Sequence, residues 1–177
     1  RGRAVVVAAV IKGNRADWVH AGDCRVYHLR GKEILKRTRD DSVVQVLFER
    51  GDITEEEMGT HPDQNRLLQS LGGKESPRPQ HDAGELQPGD RVLLCSDGLH
   101  SVVEDDAIAA VLKDEDVEVA CNGLIELAND NGGPDNITVT VADMRGSDRR
   151  GTTESVRSTQ KSSRRRKIET GYVYVYW

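Results

Sequence analysis

The sequence has few cysteines and no long apolar segment, and both shortages exclude classes of protein. Its 177 residues include three cysteines, Cys24, Cys95 and Cys121. This odd, scattered set matches neither a disulfide framework nor the spacing of a zinc site. No run approaches the roughly 18 apolar residues that a membrane helix needs. We therefore expect buried, reduced thiols in a cytoplasmic protein without a membrane span.

The sequence also lacks an initial methionine and a secretory signal, and it has few aromatic residues. It begins at Arg1, and we interpret that start as a cut in a longer protein. Aromatic residues make up 4% of the chain and charged residues 31%. This composition is typical of a globular protein with an ion-rich surface, and the length fits one domain with appendages.

Two turn segments place carboxylates at the ends of predicted strands. Residues 90–99 read DRVLLCSDGL, in which a short apolar run predicts a buried strand that ends just before Asp97 and Gly98. Downstream, Asp135 and Asn136 belong to a glycine-rich turn that precedes the β-branched residues 137–141. If the two strands are neighbours, both carboxylates lie at one rim of a sheet and suit a hard divalent cation. The alternative is ordinary turn chemistry, because aspartate is common in turns.

Ordered motifs extend this pattern along most of the chain. They are AGDCRVY at 21–27, RTRDDS at 37–42, HPDQNRLL at 61–68, LCSDGL at 94–99 and GGPDNIT at 132–138. Together they resemble the GDSR, TRDHS, HPxRN and two late metal-binding motifs of the metal-dependent protein phosphatases. These are the type 2C serine/threonine phosphatases, and the match is to their bacterial branch over residues 4–143.

The resemblance implies an α+β fold, an αββα sandwich of two antiparallel sheets flanked by helices. It implies a site for two Mg²⁺ or Mn²⁺ ions, in which Asp97 and Asp135 ligate one metal and a metal-activated water attacks phosphoserine or phosphothreonine in a protein. No side chain would be the nucleophile. Gly98 and Asn136 would form the turns of the metal site. Asp23 would be a turn residue rather than a ligand. The possible substrate contacts, with solvated surface charge as the alternative, are His61, Arg66 and His100.

Departures from the family pattern limit the expected activity. The family's N-terminal half is missing here, and with it a bridging aspartate, a proton-donating histidine and a phosphate-gripping arginine. Ser101 replaces an aspartate of many relatives, which puts a third metal site in doubt. We therefore expect the fragment alone to be weak or inactive. The alternatives are a non-catalytic regulatory or binding module on the same fold, and a phosphatase of a bacterial partner-switching regulator.

The predicted organisation has three parts. Residues 1–144 form the phosphatase-like domain, with a flap over about 40–73. Residues 145–170 carry nine Lys or Arg and three acids, a net charge of +6, and predict a basic disordered linker. Its cluster Arg164-Arg165-Arg166-Lys167 is a candidate contact for an anionic surface. Residues 171–177 alternate tyrosine and valine and predict an aromatic strand. We expect a monomer.

Local patterns predict the elements of the first part. Strands at residues 4–11, 15–21, 23–29 and up to 36 would form an antiparallel meander. Ser42, Thr54 and Asp116 have the positions of helix N-caps, and Gly51 that of a helix end. A turn or two of helix is expected over 65–71, and residues 74–89 are polar and turn-rich. A further helix is expected over 105–112.

Overall fold

The computed structural model describes residues 2–73, 76–113, 116–133 and 135–144, and the backbone of three further strands. The strands are β1 Val6–Lys12, β2 Arg15–Ala21, β3 Arg25–Arg30, β4 Glu33–Arg37, β5 Gln80–Glu85, β6 Asp90–Cys95, β7 Val139–Asp143, β8 Glu154–Ser158, β9 Arg166–Ile168 and β10 Gly171–Tyr176. The helices are α1 Val43–Arg50, α2 Glu55–Met58, α3 Asp97–His100, α4 Asp105–Leu112 and α5 Val117–Asp130. None of these described helices is long and apolar enough to cross a membrane.

The strands form two antiparallel sheets. One has the order β10–β1–β2–β5 and the other the order β4–β3–β6–β7–β8–β9. The chain passes from the first sheet to the second at Gly22, whose φ of 110° is strained for any L side chain. A Cβ at Gly22 would also lie 2.3 Å from Val5 Cγ1. The predicted antiparallel meander is therefore divided between the two sheets, because the β1–β2 and β3–β4 hairpins belong to different sheets.

Strand β6 lies inside the second sheet and is buried on both faces. Successive side chains of a strand point to opposite faces. Val92 and Leu94 pack in the core between the sheets, whereas Leu93 and Cys95 pack against α4 and α5. Burial on both faces explains the unbroken apolar run. The two sheets and this helical layer give the predicted α+β sandwich architecture.

The predicted helix signals are confirmed. Ser42 caps α1 by accepting a hydrogen bond from the Gln45 amide at 3.3 Å, and Gly51 ends the helix at a φ of 76°. Thr54 and Glu57 form a reciprocal capping box at α2, as the spacing predicts. Asp116 caps α5 by accepting from the Glu118 amide at 2.9 Å. The three cysteines are buried, also as predicted.

Two local predictions are wrong. The expected helical turn over residues 65–71 is replaced by isolated bridges of Leu67 to Ser42 and of Leu71 to Ala4. These long-range partners take the backbone groups that a helix would use. Within the turn-rich stretch 74–89 the structure has β5, which pairs with β2. Its sequence QHDAGE is polar and lacks an apolar alternation, so no period-two signal marks it.

The C-terminal part continues both sheets. Strand β10 pairs with β1, with Val6 opposite Tyr176, and Trp177 lies outside the described residues. Strands β8 and β9 extend the second sheet beyond β7. They fall inside the stretch for which composition predicts a disordered linker, so that prediction differs from the structure there. Without β8, the edge of β7 would leave backbone groups unpaired, and the backbone of a charged segment satisfies them as well as that of an apolar one.

Asp90, the first residue of β6, holds the start of this strand through a buried ionic network. Its carboxylate is 0% exposed. It accepts hydrogen bonds from Arg30 at 2.7 and 2.9 Å, from His28 Nε2 at 2.8 Å and from the Gln87 amide at 2.9 Å. Burial opposes ionisation, but these donors outweigh it and lower the pKa of Asp90 to about 2.

We predict that Asp90→Asn lowers the free energy of unfolding by about 2–4 kcal/mol at pH 7, because it removes the negative charge that Arg30 and His28 face. Arg30 is partly exposed, so water compensates for part of the loss and the effect stays in this range. Folding lowers this pKa from 3.8 to about 2, so the contribution is complete above pH 4 and disappears as pH falls through 2. Urea denaturation from pH 7 to pH 2 measures it. Asp82→Asn, which removes an exposed partner of Lys36, is the control and is expected to change little. A deficit that persists unchanged at pH 2 contradicts the account.

Candidate metal centre

The two sequence-predicted carboxylates lie at one rim of the second sheet. Strands β6 and β7 are antiparallel neighbours, with Cys95 opposite Val139, which confirms the predicted adjacency. Asp97 follows the end of β6 and Asp135 precedes the start of β7. Both side chains line one cavity of about 310 Å³.

Ser96 joins the two segments that carry these carboxylates. Its amide donates to the Thr138 carbonyl at 3.1 Å. Its hydroxyl donates to the Asn136 carbonyl at 3.0 Å and accepts from the Thr138 amide at 3.0 Å. The side chain is 2% exposed, so water competes little for these bonds. Sequence reasoning missed this role, since an isolated serine gives no signal of its partners.

Gly98 is required for the same junction because of its size. A Cβ at Gly98 would lie 2.4 Å from the Asn136 carbonyl oxygen and 2.9 Å from the Asn136 carbonyl carbon. Gly98 lies in α3 without a positive φ, so conformational freedom is not the reason for glycine here. Gly98 is instead required because the Asn136 backbone passes directly beside it.

The electrostatics of the pair favour a cation. Burial and then the negative charge of Asp135 raise the pKa of Asp97 above its usual range. Asp135 is exposed, and its Oδ1 accepts from the Asn136 amide at 2.6 Å and from Asn136 Nδ2 at 3.4 Å. Within the described segments neither carboxylate has an ion-pair partner. Two unneutralised carboxylates in one cavity are a donor set that fits a hard divalent ion.

Asp23 brings a third carboxylate to the cavity that sequence reasoning left out. It was interpreted as a turn residue, yet it lines the same cavity as Asp97. Burial and the nearby charge of Asp97 raise the pKa of Asp23 to about 6. Among the described residues no group of three His, Cys, Asp or Glu side chains is arranged to hold a metal ion. Ser101 lies at the end of α3, where its amide donates to the Asp97 carbonyl at 2.9 Å.

The three candidate substrate contacts lie outside the cavity lining. His61 Nδ1 accepts from the Asp63 amide at 3.1 Å. Arg66 pairs with Asp63 at 3.7 Å and is mostly exposed. His100 Nε2 donates to the Asp23 carbonyl at 2.8 Å, and burial lowers the pKa of His100 to about 4. The cavity is lined instead by Arg3, Ala4, Val5, Asp23, Asn65, Leu67, Ser96, Asp97, Asp135 and Asn136.

Two other motifs hold the cavity wall in place. Arg25 forms a two-point ion pair with Asp40, with both nitrogen–oxygen distances at 2.8 Å. Burial raises the pKa of Asp40, but the Arg25 guanidinium outweighs it, so the net shift is downward. The Gly22 amide donates to Asp41 Oδ2 at 3.1 Å, and the Asp41 amide donates to the Gly22 carbonyl at 2.9 Å. These contacts fix the segment that carries Asp23.

Comparison with known proteins identifies relatives for most of the chain, although no family model matches it. The chain is 44% identical over 139 residues to the serine/threonine protein phosphatase PstP of Mycobacterium tuberculosis. That match covers 78% of this chain and 27% of PstP. It is 37% identical over 145 residues to the protein phosphatase PhpP of Streptococcus pneumoniae, covering 81% of this chain and 58% of PhpP. The chain therefore spans less than two thirds of the length of either relative.

Solved structures agree with this relationship. The catalytic domain of PstP in complex with two manganese ions matches with a TM-score of 0.69 and 42% identity, covering 78% of this chain and 57% of that one. A bacterial serine phosphatase matches with a TM-score of 0.74 and 32% identity, covering 78% and 57%. The fold is thus that of bacterial serine/threonine phosphatase domains. The chain belongs to the type 2C serine/threonine phosphatase family, in its bacterial branch.

We predict that replacing glycine by alanine lowers the free energy of unfolding at Gly98 and raises it at Gly123. Gly98→Ala forces a methyl group into the Asn136 backbone and lowers the free energy of unfolding by about 1–3 kcal/mol. Gly123→Ala is the matched control, because its Cβ would meet Val111 Cγ1 at an ordinary 3.4 Å. Alanine is favoured over glycine inside a helix such as α5, by up to about 1 kcal/mol. Thermal and urea denaturation measure both. A Gly98→Ala protein as stable as the wild type contradicts the described junction.

Proposed function

We propose that this chain is part of a metal-dependent phosphatase that removes phosphate from phosphoserine and phosphothreonine in proteins. The observation that carries the proposal is the convergence of Asp97 and Asp135 in one cavity; among the described residues no ion pair neutralises either carboxylate. The relationship to PstP and PhpP, both protein phosphatases, supports the same reaction class.

The roles of the chain's own residues follow from their positions. Asp97 and Asp135 would hold Mg²⁺ or Mn²⁺, and two such ions, when bound, would supply an activated water and positive charge for the phosphoryl oxygens. Ser96 and Gly98 keep the two carboxylate segments in contact. Asn136 donates twice to Oδ1 of Asp135 and would thereby steady this carboxylate for a metal.

The remaining assignments are also proposals. A flap over residues 40–73 with His61 and Arg66 would meet the phosphoprotein, and His100 would support the cavity through Asp23. We propose a cytoplasmic monomer; the odd, scattered set of three buried cysteines fits a protein without a disulfide framework. The side chains of Arg164-Arg165-Arg166-Lys167 lie outside the described residues, and their contact with an anionic surface remains a proposal.

The chain's own donor set limits the turnover we expect of it. Asp97 and Asp135 supply ligands for one metal, whereas the reaction uses a pair. Loss of one stabiliser of transition-state charge typically costs about 10²–10³-fold in rate. We therefore propose that the 177-residue chain hydrolyses phosphopeptides at or near background. The same donor count favours a second candidate function, a phosphoprotein-binding module on this fold.

We predict that the chain binds Mn²⁺ weakly and that Asp97→Asn or Asp135→Asn abolishes measurable binding, because each removes one of the two anionic ligands. Isothermal titration calorimetry measures the affinity. Asp52→Asn removes an exposed carboxylate outside the lining of this cavity, and it is expected to bind like the wild type. Equal affinity of the wild type and the Asp97→Asn/Asp135→Asn double variant would refute the proposed site. Robust Mn²⁺-dependent hydrolysis that Asp97→Asn abolishes would exclude the binding module.

A further inference from the structure

A second cavity of about 430 Å³ adjoins the candidate metal centre. Its lining consists of Arg3, residues 67–70, Gly73 and residues 76–78, and we name it the side groove. Arg3 and Leu67 line both spaces. A polypeptide with one residue at Asp97 and Asp135 therefore has a direct path into the side groove.

The position of Arg3 is fixed by the backbone on both sides of it. The Ala4 amide donates to the Leu71 carbonyl at 3.1 Å, and the Leu71 amide donates to the Ala4 carbonyl at 2.7 Å. On the other side, Gly72 packs so closely that a Cβ there would lie 2.5 Å from the Gly2 carbonyl oxygen. Arg3 is thus held at the border of the two cavities rather than on a free end.

The two cavities differ in charge. Three carboxylates, those of Asp23, Asp97 and Asp135, line the metal centre, with Arg3 as its one described cation. The described lining of the side groove includes Arg3 as well, adds Arg78 and has no carboxylate. In the part of the chain that the structure describes, neither group forms an ion pair. They are therefore available to a ligand that carries carboxylates.

The side groove also has the other features of a peptide subsite. Leu67, Leu68 and Pro77 give it apolar surface, and Leu68 is 53% exposed. The Arg78 amide donates to Gln69 Oε1 at 3.0 Å, which ties the two walls together. A groove with apolar walls and two cations on positioned backbone suits an extended acidic segment better than a small anion, which would need no apolar surface.

We propose that the side groove binds the substrate polypeptide beside its phosphorylated residue, and that Arg3 and Arg78 select an acidic side chain there. This inference rests on the proposed function, because it takes the phosphorylated residue to lie at Asp97 and Asp135. It adds a preference in sequence: phosphoproteins with glutamate or aspartate near the phosphorylated residue bind better than those with lysine.

The test compares two fluorescent phosphothreonine peptides of equal length, one with glutamates and one with lysines around the phosphorylated residue. Fluorescence anisotropy measures their binding to the 177-residue chain with Mn²⁺ at fixed ionic strength. The glutamate peptide is expected to bind about tenfold more tightly, because Arg3 and Arg78 attract its carboxylates and repel the ammonium groups of the lysine peptide. Arg3→Ala and Arg78→Ala are each expected to reduce this preference about two- to fivefold. Arg78→Glu is expected to shift the binding preference toward the lysine peptide.

Lys32→Ala is the matched control, since it removes one exposed positive charge that lines neither cavity, and it is expected to keep the full preference. Circular dichroism confirms the fold of each variant. Equal binding of both peptides, or no binding of either peptide, would overturn the side-groove proposal. So would a loss of preference in Lys32→Ala as large as that in Arg3→Ala and Arg78→Ala. Mn²⁺ titration of the same samples distinguishes failure of the side-groove proposal from failure of the proposed function. If the chain binds Mn²⁺ but does not discriminate between the two peptides, only the side-groove proposal is rejected. If the chain binds no Mn²⁺, the proposed function is rejected.

Discussion

The candidate site depends on the junction between Ser96 and the segment from Asn136 to Thr138. Sheet pairing ends at Cys95 and Val139, so without further contacts the two carboxylate segments would separate beyond that point. Three hydrogen bonds of Ser96 extend the pairing past the strands, and the missing side chain of Gly98 lets the backbones touch. Two like-charged carboxylates repel each other. The junction holds them together against that repulsion and so prepares a site for a cation.

Local signals in the sequence predicted much of this fold. The run VLLC is apolar at every position because β6 is buried on both faces, and that pattern needs no knowledge of partners. Ser42, Thr54 and Asp116 cap helices by contacts within three residues, so their spacing alone predicts the helix starts. Asp97 and Asp135 were predicted to share a rim, although only the resemblance to a known family made metal binding more convincing than turn chemistry.

Features that depend on long-range partners were not predictable in the same way. Strand β5 is a polar strand whose place is set by β2, and nothing in its own residues shows that. Residues 65–71 have helical composition, but Ser42 and Ala4 take their backbone groups. Asp23 looks like any turn aspartate until the folded chain brings it beside Asp97. Sequence reasoning therefore placed the carboxylates on the correct elements and missed the neighbours that give them their chemistry.

On this account the segments of Asp97 and Asp135 form one cation site. Mn²⁺ is paramagnetic and broadens the NMR signals of nearby amides, so a titration of the ¹⁵N-labelled chain shows whether both segments lie near the same ion. We expect residues 96–98 and 135–137 to broaden together at low Mn²⁺ concentration. Broadening of only one of these segments, or first at the exposed acidic turn Glu55, Glu56 and Glu57 of α2, would contradict it.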